Sequence, residues 1–237
     1  VWELALGRCR RLRALPLTSL ALDSRGELWI GTRDRGLFRH AGGRWGRYLA
    51  GRHLPAAGVN CLLEDVRGLL WIGTDDGLGL FDRPQWLTVV RGWDVVRLDP
   101  APGGVWACYQ EGAVRFQGFH VVEKIRPDDL PSPPVSLVHL TSGLLWAATR
   151  EHGLWLRDPG GEWSRARLGR GLAGVVRLVP DHAQGIWLLC RDGGLWHAPA
   201  QGEPVPYGPE QGLPEEDILE MGWWPLPAAA LPGPPEG

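Results

Sequence analysis

Asp23-Ser24-Arg25-Gly26-Glu27-Leu28-Trp29-Ile30-Gly31-Thr32 returns as Asp65-Val66-Arg67-Gly68-Leu69-Leu70-Trp71-Ile72-Gly73-Thr74, and this repetition governs how the rest of the chain is read. Each copy is an Asp-x-x-Gly turn followed by a short apolar run of strand character. Trp106, Trp146 and Trp187 open similar runs further along, so tryptophan recurs about every 40 residues, the length of one four-stranded propeller blade. The period predicts an all-β ring before any single side chain is considered.

The unit from Val59 to Val90 shows the plan most clearly. A first strand at Val59 to Leu63 leads through the Asp65 turn into the tryptophan strand. Asp76-Gly77 then turns the chain into a third strand at Leu78 to Asp82, because an Asp-Gly pair readily takes tight-hairpin dihedrals, and Trp86 to Val90 makes the fourth. The unit from Thr18 repeats this with Gly36-Leu37-Phe38 and Trp45 to Tyr48, and later copies keep Gly112-Ala113-Val114, Gly153-Leu154-Trp155 and Gly194-Leu195-Trp196. Linkers carry the same beat at Leu15-Pro16, Leu54-Pro55, Leu130-Pro131, Gly171-Leu172 and Leu213-Pro214.

In phase, the two ends supply a sixth unit. Asp217 to Met221 and Ala228 to Leu231 read as its first two strands, Val1 to Leu4 and Cys9 to Leu12 as its last two. The expectation is a six-bladed β-propeller with four antiparallel strands per blade, one domain over 1–237, its last blade split between about 213–237 and 1–14. Closure of this kind leaves no edge strand open. The weak element is the second strand of that blade, crowded by Pro225, Pro227, Pro232, Pro234 and Pro235 and lacking the tryptophan. The alternative is a piece of a larger array.

Composition narrows the function classes. The 237 residues are 44% hydrophobic and 22% charged with a net charge of −2, which gives no general attraction to nucleic acid or an anionic membrane. No apolar run reaches the length of a membrane helix, and no secretory signal is legible at Val1. The 34 glycines and 21 prolines fall in phase with the repeat as turn punctuation rather than as disorder. Cys9, Cys61, Cys108 and Cys190 sit on different strands without metal-ligand spacing and read as free thiols, partly buried. No metal or cofactor is indicated.

The pattern Asp-x-x-Gly-x-Leu-Trp-Ile-Gly-Thr-x-x-x-Gly-Leu, at Asp23 to Leu37 and one residue shorter at Asp65 to Leu78, resembles the two-component regulator propeller repeat. That family builds the sensor regions of bacterial hybrid histidine kinases and some relatives with diguanylate cyclase outputs. The resemblance implies a non-catalytic ligand-binding or sensory module, often carbohydrate-responsive and often periplasmic or extracellular, working with a signalling partner or fused output domain that this chain lacks. It carries over no catalytic residue.

Four-strand topology puts the turns between second and third strands on the same face as the linkers. Candidates there for holding a small-molecule or oligosaccharide ligand are Arg33, Arg35, Asp75, Asp76, Glu111, Arg150, His152, Arg191 and Asp192, joined by His53 and Trp93. Carboxylates and guanidinium groups suit hydroxyl-rich or anionic ligands, although hairpin tips are commonly charged simply because they are solvated. The tryptophans at the repeat position belong to blade packing instead, whereas Trp93 lies outside the pattern.

Aligned by hydrophobic pattern, the first strands place Ser19, Cys61, Arg97, Ser136, Arg177 and Glu220 in one register beside the axis. Arg97, Arg177 and Glu220 either pair internally or hold an anion. If they hold a ligand, replacing Arg97 and Arg177 with Met weakens binding without unfolding the ring. Two further readings stay open, a protein-protein interaction scaffold and a propeller lyase or lactonase resembling streptogramin lyase. The second would need His53 and His152 within reach of one atom.

Overall fold

The computed structural model describes residues 2–5, 8–11, 16–166, 174–181, 183, 185–199 and 204–213. Among them the chain is all-β apart from a single 3-10 turn at Pro209–Gln211. Five four-stranded antiparallel sheets follow one another, each a simple meander. The first blade holds β3 (Leu17–Leu22), β4 (Leu28–Thr32), β5 (Leu37–Ala41) and β6 (Arg44–Tyr48). The second holds β7 (Val59–Glu64), β8 (Leu70–Thr74), β9 (Gly77–Asp82) and β10 (Gln85–Arg91). The third is β11 (Val95–Ala101), β12 (Gly104–Tyr109), β13 (Gly112–Gln117) and β14 (His120–Ile125). The fourth runs through β15 (Pro134–His139), β16 (Leu145–Thr149), β17 (Gly153–Arg157) and β18 (Trp163–Arg165), the fifth through β19 (Val175–Pro180), β20 (Ile186–Cys190), β21 (Leu195–Ala198) and β22 (Val205–Tyr207). A separate antiparallel pair joins β1 (Trp2–Ala5) to β2 (Arg8–Arg11). The strands expected at Asp217 to Met221 and Ala228 to Leu231 lie outside the described residues.

The motif residues earn their places by local chemistry. Asp23 Oδ1 accepts the amides of Arg25 at 3.0 Å and Glu27 at 2.9 Å, while Oδ2 accepts the Trp29 indole N–H at 2.8 Å. Asp65 does the same for Arg67, Leu69 and Trp71 at 2.9, 3.1 and 3.0 Å. One carboxylate therefore closes the turn and fixes the ring that follows it. The motif threonines donate their hydroxyls to the carbonyls of Gly36 and Gly77 across the next turn, at 2.6 and 2.7 Å. Gly31 and Gly73 are demanded by close approach, since a Cβ there would collide with Ser19 Oγ and Cys61 Sγ on the first strands.

The core is divided into seams between neighbouring blades rather than gathered in one centre. Trp29 packs with Leu70, Ile72 and Phe81 of the next blade, Trp71 with Val105, Val114 and Phe116, and Trp106 with Leu137, Leu145 and Ala147. All three indoles are fully buried, as expected of rings wedged between blades. Trp146 and Trp187 are only partly covered. The linker leucines Leu54 and Leu130 plug the seams, which accounts for the linker beat in the sequence. First strands β3, β7, β11, β15 and β19 pack side by side in that order, so they stand nearest the axis.

Candidate functional site

A repeated backbone bond brings the charged turns to one face. In four of the five blades the residue just after the second strand donates its amide to the carbonyl just before the first strand: Arg33 to Pro16, Asp75 to Gly58, Arg150 to Pro133 and Arg191 to Gly174, at 3.1, 3.1, 3.3 and 2.9 Å. These four positions and their linkers therefore share a rim, as the topology predicts.

On that rim, at the inner edge of blades three to five, lies a depression of about 300 Å³. Arg97 from β11 and the turn residues Arg150 and Arg191 line it, against walls formed by Val96, Val135, Val175 and Val176. None of the described residues that line it is a carboxylate. Arg150 and Arg191 are exposed and Arg97 is half-buried. Three guanidinium groups over an apolar floor favour an anion, which can be held bidentately in the fork of an arginine.

Other sequence candidates do not line this depression. Arg35 lies beside Asp34 at 3.9 Å, and its carbonyl accepts Arg47 Nε at 3.0 Å. Arg33, Asp75 and Asp76 occupy the same rim on the first two blades. Asp192 closes its own turn by accepting the Gly194 amide at 3.1 Å. Trp93 stacks on Tyr109 with ring centroids 4.3 Å apart and planes 8° from parallel; burial pushes the Tyr109 phenol up, and Glu111 adds to this. Beside them Asp94 accepts Asn60 and Gln110, each at 3.0 Å. Glu220 lies outside the described residues.

Near the axis the register read from the sequence is present for five positions. Ser19, Cys61, Arg97, Ser136 and Arg177 pair with Gly31, Gly73, Cys108, Ala148 and Leu189, each just past a bulge in its first strand. Arg177 has a structural partner that the sequence reading missed. Its Nη1 donates to Asp99 Oδ1 at 3.1 Å, and Asp99 Oδ2 accepts the Leu137 amide at 2.7 Å. The Asp99 side chain is 1% exposed and that of Arg177 11%. Burial pushes the Asp99 carboxyl up, against the pull of Arg177 and Arg97. Loss of Arg177 would strip a buried carboxylate of its bound cation, a cost to the fold that the sequence reading did not include. Alternation along β11 was the available signal, since Asp99 lies two residues beyond Arg97 and so shares its face.

Cys61, Cys108 and Cys190 are buried free thiols. Burial pushes Cys61 up to about 12 and Cys190 to about 11, far from the range of a reactive thiolate.

The two histidines of the lyase reading serve separate surroundings. His53 sits edge-on to Tyr48 and Trp86 at 5.4 and 5.6 Å, its Nδ1 accepting the Leu49 amide at 3.3 Å. His152 lies in the β16–β17 turn of the fourth blade, where its carbonyl accepts the Trp155 indole at 3.3 Å. Among the described residues no group of three His, Cys, Asp or Glu side chains could hold a metal ion, and no helix is long and apolar enough to cross a membrane.

With this geometry in view, comparison with solved structures gives the extracellular domain of a putative hybrid two component system (BT3049) from B. thetaiotaomicron. The TM-score is 0.72 at 20% identity, over 87% of this chain and 30% of that one. A second such domain (BT4673) from the same organism aligns with TM-score 0.65 at 20% identity, over 82% and 31%. The present chain thus spans less than a third of the domains it resembles. Virginiamycin B lyase from Staphylococcus aureus aligns with TM-score 0.66 at 14% identity, over 81% of this chain and 70% of the lyase. At these identities the likeness shows the propeller fold alone. No curated protein sequence matches significantly. The sequence profile described as two component regulator propeller matches residues 12–34 and 53–76, the two stretches that carry Leu-Trp-Ile-Gly-Thr. Over these two repeats the chain is similar to the two component regulator propeller family.

Proposed function

We propose that the chain is the ligand-binding propeller of a two component sensor, acting on the extracellular side and taking a small anionic ligand at the Arg97, Arg150 and Arg191 depression. The observation that carries this reading is the convergence of three guanidinium groups from three blades on one depression with valine walls. An acidic sugar or another small carboxylate with an apolar face fits that lining. His53 and His152, the two imidazoles of the lyase reading, are not among the described residues that line it, which favours binding over a lyase activity. The names of the neighbouring structures, extracellular domains of putative hybrid two component systems, support the extracellular side and a signalling partner.

The same reading takes the ring as closed by a sixth blade from about 213–237 and 1–14. Ala21 packs toward the second blade, so Leu20 and Leu22 face the opposite way on β3, where they are 58% and 42% exposed. That apolar surface is what a sixth blade would cover.

Calorimetric titration with glucuronate, succinate, inorganic phosphate and glucose at low ionic strength tests the site. Acidic probes should bind and glucose should not. Arg150→Met and Arg191→Met should each weaken binding roughly tenfold, equivalent to about 1.4 kcal/mol. Unchanged affinity in the double variant, or equal binding of glucose and glucuronate, would overturn the proposal.

A further inference from the structure

The seam between blades three and four differs from the seam between blades one and two by one missing acid. In the first seam the Trp29 indole is held by Asp23. Arg39, opposite Trp29 on β5, bonds Glu27 at 2.9 Å, and Arg83 of the next blade bonds both Asp23 and Glu27. Two guanidinium groups meet two carboxylates.

Strand register places Ala101 where Asp23 stands and Gly104 where Glu27 stands, since Trp29 pairs with Ala21 and Trp106 with Asp99. Both acids are gone in the third blade, yet their partners remain. Arg115 lies opposite Trp106 on β13, and Arg157 reaches over from the fourth blade. The two share one carboxylate, Glu123, with Arg115 Nε at 2.8 Å. All three side chains are about four-fifths covered. The consequence is legible in the packing: Trp106 is 0% exposed and its Nε1 has no hydrogen-bond partner. His139 Nδ1 is also buried without a partner, on a residue paired with Leu145 of the Trp106 cluster. A buried indole donor left unmade beside a net positive charge is costly in a native protein.

We propose that this seam binds a small monovalent inorganic anion of the halide class, which takes the place of the missing aspartate and is held by Trp106 Nε1 and the Arg115 and Arg157 guanidinium groups. The charge argument selects an anion over a water molecule, because two cations face one carboxylate where the first seam is balanced. Desolvation lowers the pKa of both arginines, as expected where the counter-charge is incomplete. Burial, with Arg115 nearby, also lowers His139, which keeps that ring neutral and able to donate through Nδ1. A carboxylate cannot return at Gly104, where a Cβ would collide with the Phe116 carbonyl. Ala101 is the position from which an acid could reach.

The test uses the whole chain. Melting is followed against chloride and bromide at constant ionic strength in a methanesulfonate background, and bromide-soaked crystals are examined for anomalous scattering. The wild type should gain Tm with halide and show a bromine peak beside Trp106. Ala101→Asp should raise the halide-free Tm by roughly 2–4 °C and lose the halide response. Arg157→Gln should lose that response without gaining Tm, which keeps the test open if Ala101→Asp fails to fold. A halide-independent wild-type Tm, or bromine confined to the rim arginines, would overturn the proposal, the buried donors then being satisfied by water.

Discussion

Replacing Asp65 with Ala isolates the energetic role of the repeat's acid, because Asp65 makes its three hydrogen bonds without an arginine partner among the described residues. The Arg67 amide lies in an exposed turn and recovers water. The Leu69 amide and the Trp71 indole do not, since Leu69 is 9% exposed and Trp71 0%. Each buried donor left unsatisfied costs about 1–3 kcal/mol, so the variant should lose about 2–6 kcal/mol. Equilibrium urea unfolding followed by tryptophan fluorescence reads this directly. A double-mutant cycle with Trp71→Phe separates the indole bond from turn closure, and the coupling should be about 1–2 kcal/mol. A loss below about 0.5 kcal/mol, the range of ordinary surface changes, or zero coupling would refute the idea that the carboxylate latches the tryptophan. The third blade supplies a natural comparison, having kept the tryptophan and lost the acid.

Arg177→Met should cost about 3 kcal/mol, the lower end for orphaning a buried charge, because the Leu137 amide still bonds Asp99. Arg150→Met, on an exposed turn, should stay within about 0.5 kcal/mol; equal losses in urea titration would show that the Arg177 to Asp99 pair is not structural. Acid stability gives another test. Burial opposes ionisation of Asp181, but the His197 ring at 2.7 Å and the Ala183 and Gly185 amides hold its carboxyl below the usual range. Its contribution is therefore present above the unfolded pKa of about 3.9 and is lost as pH falls through the lower folded value. The Tm of Asp181→Asn should fall less steeply than wild type between pH 5 and pH 2, about the window where such stability is lost. Parallel curves would contradict the assignment.

The strands were legible because each is encoded within its own 40-residue unit by alternation, turn residues and a recurring tryptophan. So was the rim, since a four-strand meander puts alternate turns on one side. The grouping within the rim was not. Arg97, Arg150 and Arg191 form a depression while Arg33, Asp75 and Asp76 lie elsewhere on the same face, and nothing in the spacing of one unit says which blades contribute together. The surroundings of His53 were likewise not legible from its place in a linker: its ring meets Tyr48 and Trp86 edge-on.

By itself the sequence determined the repeat, its phase, the five first-strand register positions and the burial of Trp29, Trp71 and Trp106, all of which follow from local propensity and hydrophobic pattern. Only the tertiary structure decided where charge is balanced and where it is not. Asp99 and Arg177 are 78 residues apart and meet because blades three and five converge near the axis. Trp106 lost the acid of its own blade, and the residues that now surround its indole come partly from the next one. Such pairings depend on distances between blades, and a pattern that repeats identically in each blade carries no record of them.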